Sequence, residues 1–362
     1  QLDSSSSWLR RFESEVASEL GMGDALFVPS GVMSQEIAMC IHTKSATLLD
    51  NKDIKPSFVC HHTSHVLVHE QEGYKHLLGM HPMCTKPSIE KVQNPLNFDD
   101  IMTLINDIKQ NPNLSIEHTV VFIECPHREI GGKITPYEDL KKISIFCRKH
   151  NIPLHMDGAR LWEAQAGYDQ GLPGDTIKQL CDLFDTVYVS FYKGLGGLSG
   201  GAMLLSRNPE FCNEARSWLR KFGGNIYSVL PYAVSCWDGF RENRYKELFI
   251  DRTILLKHTI SMLSIELQPF KYPLTSSISS SISSTKEQNL IRFDPEVPVV
   301  PLLHVYIHAP IDLCQQAQLN SHAKLQSKPG IGRGINVFAR LKPGASGTNA
   351  SEECYFEFNM VS

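Results

Sequence analysis

The chain has 362 residues, more than one hydrophobic core usually organises, so its length predicts a large domain followed by a smaller one. Its 35 Lys and Arg against 39 Asp and Glu give a formal charge of −4, and the basic residues are scattered rather than gathered into a stripe. The composition therefore disfavours nucleic acid or an anionic membrane as a partner, and the apolar segments are shorter than a bilayer span.

The ten cysteines are spread along the chain, and several lie inside apolar runs, among them Cys40, Cys60, Cys147 and Cys181. This distribution differs from the dense, paired framework of a small secreted domain, so we expect a reducing, cytoplasmic location. The chain begins at Gln1 without a methionine or a signal segment, which we interpret as a fragment or a processed form.

The first elements form a helix, a strand and a second helix. Apolar residues recur at helical spacing from Trp8 to Leu20, and Gly21 follows as a stop signal. Ala25–Val28 is typical of a short buried strand that runs into a turn, and Ser34–His42 of the helix behind it. A junction of strand, glycine and helix is a common geometry for holding a phosphate group.

The same alternation continues, which predicts a mostly parallel sheet with functional residues at the carboxyl ends of its strands. The predicted strands are Phe58–Cys60, Thr119–Glu124, Pro153–Asp157 and Thr186–Ser190, and the predicted helices are Phe98–Ile108 and Tyr137–His150.

The pattern changes near residue 245, where we place the boundary between a large domain (1–245) and a small C-terminal domain (246–362). A long mixed helix, Tyr245–Leu267, is followed by the serine tract 275–285, whose low complexity predicts a flexible surface loop. Leu290–Phe293, Val299–Ile307 and the segment near Tyr355–Asn359 are predicted strands of the smaller domain.

Lys193 follows a predicted strand and precedes a glycine-rich run, so little side chain would obstruct a ligand that approaches it. A surface lysine in a glycine turn is the ordinary alternative. Asp157 ends the preceding strand, and a carboxylate beside the pyridine nitrogen is what pyridoxal phosphate (PLP) catalysis requires. Asp157 is also compatible with a helix N-cap.

Together the two segments resemble the low-specificity L-threonine aldolase and β-eliminating lyase family of PLP enzymes, within the aspartate aminotransferase superfamily. The family signature His-x-Asp-Gly-Ala-Arg is matched at His155–Arg160, and its lysine motif at Tyr192–Gly196. The resemblance extends with gaps from about Trp8 to Phe240. It implies the aspartate aminotransferase-like α/β fold, with a mostly parallel central sheet and a smaller C-terminal α+β domain, and PLP as the cofactor.

The resemblance also implies roles for individual residues. Lys193 would form the Schiff base with PLP, Asp157 would pair with the pyridine nitrogen, and Arg160 would lie near the phenolic oxygen. The remaining cofactor-binding residues that it implies are the phosphate loop Ser30, Gly31 and Val32, a hydrogen-bond donor at Ser190, and Lys221, which can reach a phosphate, across a dimer interface if need be.

The histidine-rich tract His61–His69 has two functional interpretations and one structural one. Its histidines, with Cys60, supply the chemistry of a zinc site. The family instead places a PLP-stacking histidine five residues before a glutamate, which His65 and Glu70 match, and we favour that role for His65. The structural interpretation is a buried, hydrogen-bonded histidine. We predict that the chain binds no metal.

The segment at the end of the third predicted strand resembles the family's Glu-Asn-Thr-His sequence and contains Glu124 and His127. His127 would lie near the substrate hydroxyl, where a neutral imidazole accepts the proton that starts retro-aldol cleavage. Glu124 would help to organise the site. An ordinary turn is the alternative for both residues.

Several positions depart from the family pattern. Tyr192, Val32 and Tyr227 replace a serine, a threonine and an arginine, and no segment before Gln1 supplies the family's opening residues. The substrate-carboxylate arginine has no matching motif, which leaves Arg333 and Arg340 as candidates.

The resemblance implies a PLP-dependent lyase that cleaves the Cα–Cβ bond of a β-hydroxy amino acid, of the threonine or allo-threonine type, to glycine and an aldehyde. The alternatives are β-elimination from another amino acid, a non-catalytic scaffold of the same fold, and a zinc hydrolase built on the histidine tract. The resemblance further implies an amino-acid substrate and a homodimer or homotetramer.

Overall fold

The computed structural model describes residues 7–44, 54–86, 93–168, 175–198, 200–273, 287–326, 341–343 and 353–360. The serine tract 275–285 and the two arginines Arg333 and Arg340 lie outside these ranges. Within the described ranges the helices are α1 (Trp8–Leu20), α2 (Gly31–Thr43), α3 (His65–Val68), α4 (Gly73–His76), α5 (Phe98–Gln110), α6 (Tyr137–Lys149), α7 (Leu161–Tyr168), α8 (Thr176–Cys181), α9 (Pro209–Lys221), α10 (Leu230–Asn243), α11 (Lys246–Leu267) and α12 (Ile311–Gln326), with a short 3-10 helix at Arg128–Ile130.

The first helix shows how the sequence sets an element's ends. Ser7 accepts a hydrogen bond from the Arg10 N–H and so caps the start of α1, and Gly21 ends the helix in the left-handed conformation at φ 67°. Between these ends α1 buries Phe12 and Leu20 against the sheet. The predicted helix is therefore confirmed at both ends.

The described part of the central sheet has seven strands in the order β1-β7-β6-β5-β4-β2-β3. These strands are β1 (Asp24–Val28), β2 (Lys55–Cys60), β3 (His81–Cys84), β4 (Leu114–Glu124), β5 (Leu154–Gly158), β6 (Thr186–Ser190) and β7 (Ala202–Ser206). Strand β7 pairs antiparallel with both β1 and β6, whereas the other described pairs are parallel. The expectation of a mostly parallel sheet is thus confirmed.

Helices cover both faces of this sheet, as buried parallel strands require. On one face α1, α5, α6, α7, α8 and α10 enclose the largest apolar cluster, in which Phe12, Trp162 and Phe240 are buried. On the other face α2 and α9 pack over β1, β6 and β7, while α3 and α4 cover β2. The carboxyl ends of the parallel strands are left open between these layers.

The C-terminal part forms a separate antiparallel sheet in the order β10-β11-β13-β12. Its strands are β10 (Ile291–Asp294), β11 (Leu302–Ile307), β12 (Lys342–Pro343) and β13 (Cys354–Asn359), and a small hairpin pairs β8 (Lys271–Pro273) with β9 (Glu287–Asn289). The α/β fold class with a second, smaller sheet is as expected. The domain boundary near residue 245 stays a prediction.

Two further findings concern the chain as a whole. In the described helices we find no stretch with the length and apolar character needed to span a bilayer. No disulfide joins the ten cysteines, all of which lie in the described ranges, and most of them are buried.

Candidate active site

A cleft of about 130 Å³ opens at the carboxyl ends of β4, β5 and β6. Most of the side chains singled out in the sequence line it. The lining residues are Gly31, Val32, His65, Glu70, Glu124, Pro126, Arg128, Asp157, Ala159, Arg160, Tyr188, Tyr192 and Lys193. A larger cavity of about 280 Å³ lies against β11 and β13, but none of the predicted catalytic residues lines it.

Lys193 lies three residues beyond the end of β6 and projects into the cleft. Burial lowers the pKa of its amine, and the positive charge of Arg160 lowers it further, while the carboxylate of Asp157 opposes both effects. A lysine whose pKa is lowered in this way spends more time as the neutral, nucleophilic amine.

Asp157 lies inside β5, where it is buried and paired in register with Glu124 of β4 and Tyr188 of β6. Its two oxygens accept hydrogen bonds from the Gln35 amide (2.5 Å) and the Ala159 N–H (3.1 Å). Burial and the nearby charge of Glu124 raise its pKa to about 6, and His65 and Lys193 act against that rise. Because α7 begins only at Leu161, Asp157 is not the N-cap of that helix.

His65 begins α3 and faces the same cleft. Its Nδ1 lies 2.9 Å from Glu70 Oε1, and its backbone N–H donates to Glu124 Oε2 at 3.1 Å. Burial would lower the pKa of His65, but the hydrogen bond with Glu70 and the charges of Asp157, Glu70 and Glu124 raise it. Glu70 therefore orients the ring, while Glu124 holds the backbone of His65.

His127 is buried and does not line the cleft. Its Nε2 lies 2.9 Å from Thr63 Oγ1, and its ring packs against that of His61 with the centroids 4.7 Å apart. The carboxylate of Glu124, which does face the cleft, lies 3.7 Å from His127 Nε2. His127 thus reaches the cleft through Glu124 rather than directly.

Two arginines bring positive charge to one side of the cleft. Arg160 donates to Glu357 Oε1 at 3.1 Å, and Arg128 donates to Glu357 Oε2 at 2.6 Å. Glu357 belongs to β13, so the small sheet supplies a carboxylate that joins both guanidinium groups. Sequence reasoning missed Arg128, although it directly follows His127 in the segment that was already singled out.

The N-terminus of α2 forms the end of the cleft near Tyr188. Ser30 caps the helix by accepting a hydrogen bond from the Met33 N–H at 3.2 Å. A Cβ added at Gly31 would lie 2.1 Å from the Tyr188 hydroxyl oxygen, so this position requires glycine. The backbone N–H groups of Gly31 and Val32 stand at the positive end of a 13-residue helix, where anions bind well.

Ser190 and Lys221 do not line the cleft. Ser190 is fully buried at the end of β6, and its hydroxyl has no hydrogen-bond partner among the described residues. Lys221 is exposed on the last turn of α9, with its Nζ 3.9 Å from the centroid of the Trp218 ring. Gly224, just beyond that turn, approaches Met33 of α2, so the end of α9 lies beside the start of α2.

The histidine tract does not form a metal-binding cluster. Across the described ranges, no three His, Cys, Asp or Glu side chains are grouped closely enough to hold a metal ion. His61 instead bonds to Thr63, His62 to Thr85, and His65 to Glu70. The zinc interpretation therefore receives no support from the geometry.

Comparison with known proteins gives one family model and several relatives. The family model described as "Beta-eliminating lyase" matches residues 4–260. The low-specificity L-threonine aldolase of Candida albicans is 32% identical over 227 residues, which cover 60% of this chain and 52% of that protein. The probable low-specificity L-threonine aldolase 2 of Arabidopsis thaliana is 29% identical over 242 residues, which cover 64% of this chain and 60% of that protein.

Among solved structures, the chain is similar to a putative L-allo-threonine aldolase from Listeria monocytogenes. The two share 30% sequence identity with a TM-score of 0.72, and the match covers 97% of this chain and 80% of that one. The chain thus spans between half and two thirds of the length of the curated relatives that it matches.

Proposed function

The chain belongs to the β-eliminating lyase family of PLP-dependent enzymes, and on that premise we propose that it cleaves the Cα–Cβ bond of a β-hydroxy amino acid. The products would be glycine and an aldehyde. The observation that carries this proposal is the pairing of Lys193, whose amine has a lowered pKa, with the buried carboxylate of Asp157 in one cleft.

The residues of the cleft fit PLP. The N-terminus of α2 offers backbone N–H groups for the phosphate. Ser190 lies behind the cleft at the end of β6, and its buried hydroxyl has no hydrogen-bond partner within the described part of the chain. The carboxylate of Asp157 would pair with the ring nitrogen, and the amine of Lys193 would bond to the aldehyde carbon. When bound, PLP supplies a protonated ring that withdraws electrons from the bonds at Cα.

Arg128 is proposed to bind the carboxylate of the amino acid together with Arg160, which the resemblance also places near the phenolic oxygen of PLP. Both line the cleft beside Lys193, and guanidinium groups recognise carboxylates with two parallel hydrogen bonds. Glu357 already occupies one hydrogen-bonding edge of each arginine. Glu163 accepts from Arg160 Nη1 and Glu129 from Arg128 Nη1. A substrate carboxylate would therefore bind at the nitrogens that these three carboxylates leave open, or displace one of them.

The proton of the substrate hydroxyl is proposed to go to the pair formed by Glu124 and His127. Glu124 is the member that faces the cleft, and His127 lies behind it at 3.7 Å, hydrogen-bonded to Thr63. This changes the sequence-based hypothesis in one respect: His127 acts with Glu124 rather than alone. His65, held by Glu70, is proposed to stack on the cofactor ring.

Loss of a β-substituent, which would yield an oxoacid and ammonia, is the second candidate function, because the matching family model is described as a β-eliminating lyase. Product analysis separates the two. The PLP-loaded protein is incubated with threonine, allo-threonine, phenylserine and serine, and glycine, aldehyde, oxoacid and ammonia are measured. Glycine with an equal amount of aldehyde from the first three supports the aldolase. Oxoacid and ammonia without glycine would instead support β-elimination and contradict the aldolase proposal.

We further propose a cytoplasmic homodimer. Several apolar side chains just before and at the start of α10 are exposed, namely Ile226, Tyr227, Leu230, Tyr232 and Val234, and a second copy would cover them. Lys221 lies on the neighbouring turn of α9, as its expected role at a subunit interface requires. Light scattering of the purified protein tests the assembly: the mass of one chain would contradict it.

A further inference from the structure

We infer that a one-way chain of hydrogen bonds, from His42 through Thr186, His155 and Gln35, positions Asp157 and keeps its carboxylate ionised for the cofactor. Gln35 and His155 are thereby positioning residues. The inference rests on the proposed function, because it assigns Asp157 to the ring nitrogen of PLP.

The chain is continuous in the structure. Gln35 Nε2 lies 2.5 Å from Asp157 Oδ2, and Gln35 Oε1 lies 2.9 Å from His155 Nε2. His155 Nδ1 lies 2.7 Å from Thr186 Oγ1, which lies 2.7 Å from His42 Nε2. Gln35, His155 and Thr186 are all buried, so water does not replace these bonds.

The direction of every bond follows from the chemistry of its ends. An ionised carboxylate only accepts, so the Gln35 amide nitrogen donates to Asp157, and the Gln35 carbonyl oxygen must accept from His155 Nε2–H. Burial lowers the pKa of His155 well below its ordinary value, so the ring is neutral and its Nδ1 accepts from the Thr186 hydroxyl. The Thr186 oxygen then accepts from His42 Nε2–H.

This arrangement opposes protonation of Asp157 at Oδ2. A proton there would face the Gln35 amide nitrogen, so the amide would have to flip, His155 to change tautomer and Thr186 to rotate. The other oxygen is bonded to the Ala159 N–H. Such a device is useful because burial and Glu124 both favour the neutral acid, against the charges of His65 and Lys193 and the Ala159 N–H, which lower the pKa of Asp157.

The fold explains why these residues meet. His155 lies two residues before Asp157 on the same face of β5, and Thr186 is its partner in the register of β6. Gln35 reaches both from α2, the helix whose N-terminus carries Ser30 and Gly31. One helix therefore orients the residues that would bind the two ends of the cofactor, its phosphate and its ring nitrogen.

The test measures cofactor affinity rather than turnover. Two ligands are compared: PLP, and a PLP analogue with carbon in place of the ring nitrogen. Their dissociation constants are determined for the parent and for Gln35→Leu between about pH 5 and about pH 9. We expect Gln35→Leu to weaken PLP binding roughly tenfold at neutral pH and to shift the acidic loss of affinity to higher pH. Binding of the analogue should be unchanged, because it makes no use of the Asp157 charge.

Two further variants give the comparison its controls. Ser57→Ala removes a similar buried hydrogen bond in the same sheet, between Ser57 Oγ and Thr119 Oγ1 at 2.8 Å. This bond is not connected to Asp157, so the variant should bind PLP and the analogue as the parent does. His42→Phe breaks only the far end of the chain and preserves the ring contact with Phe211, so it should fold and weaken PLP binding less than Gln35→Leu does.

Three outcomes are decisive. Equal weakening of PLP and of the analogue in Gln35→Leu would reduce Gln35 to a structural role and overturn the inference. Unchanged PLP affinity in Gln35→Leu would also overturn the inference. If Gln35→Leu does not fold, unchanged PLP affinity in His42→Phe would have the same meaning. A parent protein that binds no PLP would instead refute the proposed function itself.

Discussion

Glu357 presents one carboxylate oxygen to Arg128 and the other to Arg160, at the side of the cleft where a substrate carboxylate is proposed to bind. Both arginines are part of the site in which burial and the charge of Arg160 lower the pKa of Lys193. The attraction for an anionic group therefore depends on these two guanidinium groups, and Glu357 competes for them.

At the residue scale this arrangement predicts a selective defect. Arg128→Gln should weaken glycine binding by roughly 10- to 100-fold, because a charged hydrogen bond to the ligand carboxylate is lost. Binding of glycinamide, which lacks that carboxylate, should barely change. Both dissociation constants are measured from the change in the visible spectrum of the PLP-loaded protein. Arg148→Gln, on the exposed part of α6, is the matched control, and equal losses for both ligands would contradict the assignment.

A second prediction at this scale concerns Glu36 of α2, which is buried with neither carboxylate oxygen bonded to any described residue. Burial and the charge of Glu70 raise its pKa from 4.5 to about 8. The folded protein thus binds more protons than the unfolded chain between these two values. The stability that this difference provides is complete below about pH 4.5 and is lost as the pH rises to about 8.

Glu36→Gln should remove this dependence. We expect the variant and the parent to be similarly stable near pH 4.5, and the variant to be more stable by about 2 to 4 kcal/mol at pH 9, an order of magnitude that follows from the pKa shift. Urea denaturation of both proteins across this range provides the measurement. Parallel stability curves for the two would show that Glu36 is ionised in the folded protein.

At the scale of an element, the N-terminus of α2 is set by the contact between Gly31 and Tyr188. Gly31→Ala would place a methyl group 2.1 Å from the Tyr188 hydroxyl oxygen, so either the helix end or the tyrosine must move. We expect PLP affinity to fall at least tenfold, since a shift of this size breaks the hydrogen bonds between the helix N-terminus and a phosphate. Ile145→Ala, at an exposed position of α6 outside the cleft, is the control and should bind PLP normally.

The affinity for pyridoxal without the phosphate distinguishes the two explanations of such a loss. If Gly31→Ala damages only the phosphate cradle, the variant and the parent should bind pyridoxal equally weakly. A variant that loses pyridoxal as strongly as PLP would show that the displaced Tyr188 closes the cleft, and the cradle would not be the cause.

The elements that sequence predicted best were those with a clear period and a clear stop. Strands β4, β5 and β6 and helices α1, α5 and α6 were found within a few residues of their ends, because apolar spacing and capping residues are local signals. Strand β7 was missed because it follows a glycine-rich run and owes its place to two antiparallel neighbours. Helices α3 and α4, with four residues each, are too short to show a period.

Within the site, the sequence indicated which strand ends would meet but not which side chains would face the cleft. Lys193, Asp157 and Arg160 line it as expected from their motifs. His127 is turned towards Thr63 and His61, and this orientation depends on packing between distant segments. Arg128 and Gln35 were missed for the same reason, because each acts through a partner more than 100 positions away in sequence.

At the scale of the whole molecule, the cleft depends on both sheets. The central sheet supplies Lys193, Asp157 and Glu124 from three neighbouring strands, whereas the antiparallel sheet supplies Glu357 from β13. The part of the chain after residue 245 is therefore more than a support, since one of its carboxylates holds two arginines of the site. Its division from the large domain stays a prediction.

The central claim is that Lys193 binds PLP covalently, and the visible absorption spectrum after PLP is added and excess removed tests it most directly. The parent and Lys178→Ala, which removes an exposed lysine paired with Asp175, should retain the absorption band of lysine-bound cofactor. Lys193→Ala should lack that band and show only free or loosely held PLP. The same band in Lys193→Ala, or no band in the parent, would contradict the account.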